Sequence, residues 1–448
     1  MKNFNERYKK QVDSWKEKYA TATENMKAFD KNNLLIAVDY ESEVSESLLS
    51  KIQMAIDLYK KEKRAGKNVK LIFPVVEGFD YNLLIENNFV DASEFYVVEK
   101  MPEVDDDFNR EVYAKSVAEF AKGIAGETYG TVYQISNPKE MYSNLLDYVE
   151  NGIVPLNFSA PVRGEIVNIF DVVSTELLQK IAGTDFNWFM ANHADKSDEW
   201  QARFRLAEKT MCEATVPVQG EKRKVLIECA AQHPLDLGVY PGSEFKARLD
   251  KAAELYFEEK HKGNIAKIYI PGSLHQIFVQ EDGEKVLKRD IVSLSKSGEM
   301  YLRSCGIPAE DIYGEKLNNE LMPKGVYNSG DECRVASEIF KSKGFNELLS
   351  VTSPGQLYRV ALFYANFGVV PTMYTAPTSE SYHNVVNEIT GAIPNVIINC
   401  PSWQLREYYP AATEVDDHIA KKSRYERDPL RFMLPMPNAQ KENELEKE

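Results

Sequence analysis

The chain has 448 residues, 43% of them hydrophobic, and a formal net charge of −15. That length and apolar content describe a folded protein of about two domains, not a disordered one. The acidic surplus excludes nonspecific binding to nucleic acid or to an anionic membrane surface, since both need dense positive charge.

The N-terminus carries no apolar signal-peptide core, and no segment approaches the ~20 apolar residues of a membrane span. Cys212, Cys229, Cys305, Cys333 and Cys400 are widely spaced, with no CxxC pair. This usage fits a reducing compartment, so the expectation is a cytoplasmic protein without a membrane span.

In residues 1–30, Phe4, Tyr8, Val12, Trp15, Tyr19 and Met26 recur at helical spacing. The spacing predicts an amphipathic helix that packs on its own chain, in preference to a dimerisation helix, although a homodimer stays open. Short apolar runs then alternate with helical patterns. They are residues 33–40, 69–76, 131–136 and 153–159, followed after the polar linker VPVQGEKRK by 224–231, 266–272, 347–353, 369–375 and 395–400. Continuous runs are the mark of strands buried on both faces, and their alternation with helices implies parallel sheets. The predicted fold class is α/β, with two tandem three-layer Rossmann-like domains at 31–215 and 222–400. Beyond 400 lies a charged extension, 401–448, read as a mobile tail.

Two stretches are copies of each other. Residues 135–161 and 351–377 align without a gap and share Pro138/Pro354, Tyr142/Tyr358, Tyr148/Tyr364, Gly152/Gly368 and Pro155/Pro371. An earlier block starting at Lys51 repeats from Arg248, at a smaller offset, so the second copy carries an insertion. The stretch Gln280–Arg289 and the loop 317–326 can supply it. The period is near two hundred residues, which is domain duplication and not a solenoid.

In an open parallel sheet, ligands bind beyond the carboxyl ends of the strands. The second copy places Gln232 and His233, then Gly272, Ser273 and His275, then Asn328, Ser329 and Asp331, then Thr352, Ser353, Gln356 and Arg359 at these ends, with Arg248 early in the first helix. The first copy has Lys51, Glu140 and Ser143 opposite Arg248, Gln356 and Arg359, and Val167 opposite His383. Function is therefore expected in the second copy, with the first a degenerate partner domain. Arg forks suit carboxylate or phosphate, and pocket binding is preferred to the alternative of solvated ion pairs, Arg248 with Glu244 and Arg359 with Glu380 or tail acids. His233, His275 and His383 have no metal-ligand spacing, and no metal is expected. NSGDE also reads as a helix cap. GxGxxG, GxxxxGK[ST] and GxSxG are absent.

The second copy resembles the YdcF/SanA/ElyC-like domain of unknown function. ARLDKAAELY (247–256), YLRSCGIPAEDI (301–312), NSGDE (328–332) and VTSPGQLYRVALFYANFG (351–368) carry the resemblance, in the family's order. It implies that Arg248, Asn328, Ser329, Asp331 and Arg359 line a pocket, with Glu315 as an acid after the third strand. It further implies S-adenosylmethionine or another nucleotide as ligand, and envelope-precursor metabolism as context. The chain departs from the family in having Gln356 where a His is usual, Leu294 where an acid is usual, and CAAQH in place of a glycine-rich turn. Gln cannot exchange a proton near neutrality. As a hydrolase or transferase the protein would draw on His233, Asp331 or His383; as a binding or scaffold module it would need only the arginines, the helix N-termini and Gln356.

Overall fold

The structure, a computed structural model, describes residues 2–87, 89–98, 110–123, 127–182, 194–215, 221–232, 235–274, 276–281, 284–323, 325–378 and 385–398. In chain order the strands of the first copy are β1 (Asn33–Val38), β2 (Asn68–Pro74), β3 (Phe95–Val98), β4 (Thr131–Ser136) and β5 (Leu156–Ser159). Those of the second are β6 (Lys224–Cys229), β7 (Ile265–Tyr269), a hairpin of β8 (Gln276–Glu281) and β9 (Glu284–Arg289), then β10 (Ile312–Tyr313), β11 (Glu347–Thr352) and β12 (Thr372–Thr375). They build two five-stranded sheets of identical topology, β3-β2-β1-β4-β5 and β10-β7-β6-β11-β12. The fold is α/β, with parallel sheets flanked by helices.

Alternate residues of β1 explain the layering. Leu34, Ile36 and Val38 join Leu48, Ile52 and Ile56 of the helix Glu46–Arg64 in one cluster. Leu35 and Ala37 join Tyr113, Val117 and Ala121 of the helix Arg110–Lys122 in another. A strand with apolar side chains on both faces must be covered on both, and each fully buried Leu or Ile contributes about 1.5–3 kcal/mol.

Register shows the duplication residue by residue. Asn33 pairs with Asn68 and Lys224 with Ile265, while Leu34 pairs with Thr131 and Val225 with Glu347. Leu71 pairs with Phe95 and Ile268 with Ile312. Equivalent residues therefore face each other in both sheets, and insertions fall only between elements. The largest lies between β7 and β10, where the antiparallel β8–β9 hairpin stands. The repeated glycines have one reason: Gly152 and Gly368 adopt φ of +81° and +70° just past their helices. Ile153 and Val369 then donate to the carbonyls of Tyr148 and Tyr364, closing each helix in the same way.

Two expectations change. NVIINC does not add a strand, because Ile393–Ile398 is a helix. Periodicity cannot separate a buried helix from a buried strand, and this segment ends one continuous helical run from Val385 that includes a π-helical stretch, Glu388–Ala392. The sequence reading also omitted β3 and β10; their residues are only partly buried, and β10 is two residues long. The N-terminal helix Lys2–Lys27 turns Val12, Trp15, Ala22 and Met26 into its own chain, and Lys18 pairs with Glu150 at 2.9 Å.

Two compact units divide the chain: Met1–Ala194 with Thr372–Thr390, and Asp195–Pro371 with Gly391–Glu448. Among the described residues no helix is long and apolar enough to cross a membrane.

Candidate functional site

In each sheet the strand order reverses beside the first strand, between β1 and β4 and between β6 and β11. In sheets of this kind such a switch point is where a ligand crevice is expected. Arg248, one turn into the helix Ser243–His261, lies at this point of the second copy and is fully buried. Its Nε and Nη2 donate to Ser353 Oγ at 3.1 and 2.6 Å, and its Nη1 donates to the carbonyls of Ala230 and Ala231, both at 3.1 Å. Nη2 also reaches Gln232 Oε1 and Glu244 Oε1 at 3.2 Å. The i,i+4 pair with Glu244 is thus present, and Ser353 Oγ donates to the same carboxylate. One planar fork ties the end of β6 to the end of β11, and a charged group buried without water requires such full engagement.

The first copy keeps the device with other residues. Lys51 is also fully buried, pairs with Glu41 at 2.7 Å and Glu140 at 3.9 Å, and reaches the Asp39 carbonyl at 3.4 Å. By sheet register Asp39 and Glu41 are the counterparts of Ala230 and Gln232. The cation therefore survives in both copies, while its carboxylates come from different positions. The expectation that the first copy's pocket residues had simply been lost is too coarse here.

Near the end of the first strand of each copy sits a buried acid. Asp39 accepts from Gln134 at 2.7 Å, Asn144 at 2.6 Å and Tyr148 at 3.0 Å, and burial pushes its proton affinity up. In the second copy Glu228 accepts from Ser350 at 2.6 Å, and burial pushes its pKa up to about 7. Ser350 occupies the place of Gln134, so the two acids meet the same point of the neighbouring strand from residues two positions apart.

The helix Ser329–Ser342 starts as a reciprocal cap. Asn328 Oδ1 accepts from the Asp331 N–H at 3.0 Å, and Asp331 Oδ2 accepts from the Tyr327 N–H at 3.1 Å and the Asn328 amide at 2.9 Å. Burial nevertheless raises Asp331 to about 6. Next to it Glu332 is 8% exposed and raised to about 8, by burial first and by Glu228 second, against the opposing pull of Arg248 and Arg359.

Of the predicted site residues, hydrogen bonds join Arg248 to Ser353 and Gln232, and Asn328 to Asp331. Thr352 Oγ1 donates to Gln356 Oε1 at 3.5 Å. Ser273 is occupied as a splice, its N–H on the Val326 carbonyl at 2.9 Å and its Oγ accepting from the Val326 N–H at 2.8 Å. Glu315 stands exposed at the start of a separate helix, Glu315–Leu321. His233, His275, His383 and Cys400 lie outside the described residues. Among the described residues no three His, Cys, Asp or Glu side chains gather as metal donors.

Gly272, just beyond β7, is closely packed. At its φ of +102° a Cβ would lie 2.8 Å from Leu294 Cβ, at the start of the helix Leu294–Ser304. Gly272→Ala combines a disfavoured backbone with a clash against another backbone-bound carbon. It is expected to lower stability by about 2–3 kcal/mol, read from the urea midpoint.

Sequence reasoning missed Glu228 and the burial of Glu332. Glu228 had a visible signal, a charge inside the apolar run KVLIEC; Glu332 read only as a capping acid. Comparison with family models, with curated proteins and with solved structures finds no match to this chain.

Proposed function

We propose that the second copy binds a small anionic or nucleotide-like molecule in the crevice between the carboxyl ends of β6 and β11. The observation that carries this reading is the pinning of both strand ends by Arg248, which fixes the crevice before any ligand arrives. Arg359, Gln356 and the start of the helix Ser329–Ser342 then supply charge and donors at the rim. The resemblance to the YdcF/SanA/ElyC-like domain supports S-adenosylmethionine or another nucleotide as the ligand, and a cytoplasmic role in envelope-precursor metabolism. A second reading, a hydrolase or transferase, draws on Asp331, whose pKa of about 6 suits proton exchange near neutrality.

Native mass spectrometry of freshly purified protein, followed by calorimetric titration with S-adenosylmethionine and adenine nucleotides, tests the proposal. The expected result is one molecule per chain, with Arg359→Ala weakening binding by about 2–5 kcal/mol and leaving the fold intact. A chain that retains nothing and binds none of these compounds sinks the reading; conversion of the bound compound selects the enzyme.

A further inference from the structure

β5 and β12 are the end strands of their sheets, and both lie in the first compact unit, which takes Thr372–Thr390 from the second copy. They meet through side-chain hydroxyls. The Ser159 N–H donates to Thr375 Oγ1 and the Thr375 N–H donates to Ser159 Oγ, each at 2.8 Å. Ser159 Oγ in turn donates to the Met373 carbonyl, and Thr375 Oγ1 to the Asn157 carbonyl, again at 2.8 Å each. All four residues are buried. An end strand carries backbone N–H and C=O groups that no further strand takes up, and such groups cannot be buried without partners. Here each hydroxyl satisfies one N–H and one C=O of the strand opposite.

In the gapless alignment of the copies Ser159 corresponds to Thr375 and Asn157 to Met373. The four bonds therefore map onto themselves when the copies are exchanged. That reciprocity is the mark of an isologous contact, the kind that two identical subunits make about a two-fold axis. A contact between unrelated surfaces has no reason to use the same two positions of a repeat on both sides, or to keep a hydroxyl at both.

We propose that the β5 edge is a self-recognition surface, the dimer interface of a single-copy precursor, and that the partner it fits is a second copy of the same domain, supplied in this chain by β12. The linker VPVQGEKRK then only raises the effective concentration of one edge at the other. The hydroxyl pair, and not the linker, keeps Thr372–Thr390 in the first unit.

A protease site inserted between Val218 and Gln219 of the full chain allows the linker to be cut after folding. The cut chain is expected to remain a 1:1 complex of its two fragments in gel filtration and native mass spectrometry at micromolar concentration, and separation of the fragments there overturns the proposal. Ser159→Ala/Thr375→Ala, cut in the same way, is expected to raise the Kd between the fragments at least about a hundredfold, because four buried hydrogen bonds are lost. A folded double variant whose fragments hold as tightly as those of the wild type overturns the hydroxyl contact as the recognition surface. Two single variants decide the matter if the double one fails to fold. Thr375→Ser makes the two sides chemically identical and is expected to hold within about fivefold of the wild type, whereas Thr375→Val keeps the shape without the hydroxyl and is expected to weaken the complex at least about tenfold. Equal Kd values for these two variants overturn the proposal as well.

Discussion

Replacing Arg248 by alanine is expected to cost the second copy about 3–5 kcal/mol of stability, the range for breaking a buried charged cluster from one side. The substitution strands Glu244, the Ser353 hydroxyl and two strand-end carbonyls, all of which now take hydrogen from one guanidinium. Arg248→Lys keeps the charge but not the fork, and is expected to lose roughly half as much. The first copy shows what would repair it: Lys51 is matched by Glu41, at the position of Gln232. The double variant Arg248→Lys/Gln232→Glu is therefore expected to recover part of the loss in urea denaturation. If Arg248→Ala unfolds like the wild type, the guanidinium cluster does not hold the strand ends.

The second large effect is on the pH dependence of stability. Glu228 and Glu332 bind protons more tightly folded, at about 7 and about 8, than an unfolded chain does at roughly 4.3. Between those values the native state carries the extra protons, so stability falls as pH rises. The contribution is whole below about pH 4 and is lost as pH climbs through 7 and 8. The difference in unfolding free energy between Glu332→Gln and the wild type is expected to be small at pH 5. At pH 9 it is expected to favour the variant by on the order of 4 kcal/mol, with Glu228→Gln acting in the same direction. A difference that does not grow from pH 5 to pH 9 would mean that Glu332 is solvated and ordinary.

The central strands were legible in the sequence because a strand buried on both faces must be apolar at consecutive positions, as Leu34–Val38 and Val225–Ile227 are. The duplication was legible because Pro138, Gly152 and their partners answer to backbone geometry, which tolerates little substitution. β3 and β10 were not, since edge strands need fewer apolar residues, and Ile393–Ile398 misled because apolar density is common to buried helix and strand. At the site, the position of Arg248 by the end of β6 could be read, but the number of partners around it is a property of tertiary packing. Glu332 was hidden for a similar reason: a capping acid and a buried acid occupy the same place in a helical sequence, and only the surrounding chain distinguishes them.

The buried cation at the switch point of both sheets also constrains the route by which the copies diverged. A counter-charge can move from one position to another along a lineage by two kinds of intermediate, one with a second acid already in place and one with no acid at all. The intermediate without an acid leaves a desolvated cation, at several kcal/mol; the doubly acidic one is held down by a nearby positive charge. The first copy, with Glu41 and Glu140 both set against Lys51, has the form of that tolerated intermediate. The second, with Glu244 alone as the acid bonded to Arg248, has the form of an end point. Grafting the helix of one copy into the other therefore amounts to crossing two incompatible lineages: Arg248 would meet Glu41 and Glu140 in addition to its own Glu244, whereas Lys51 would face Gln232 and Gln356 with no acid of its own.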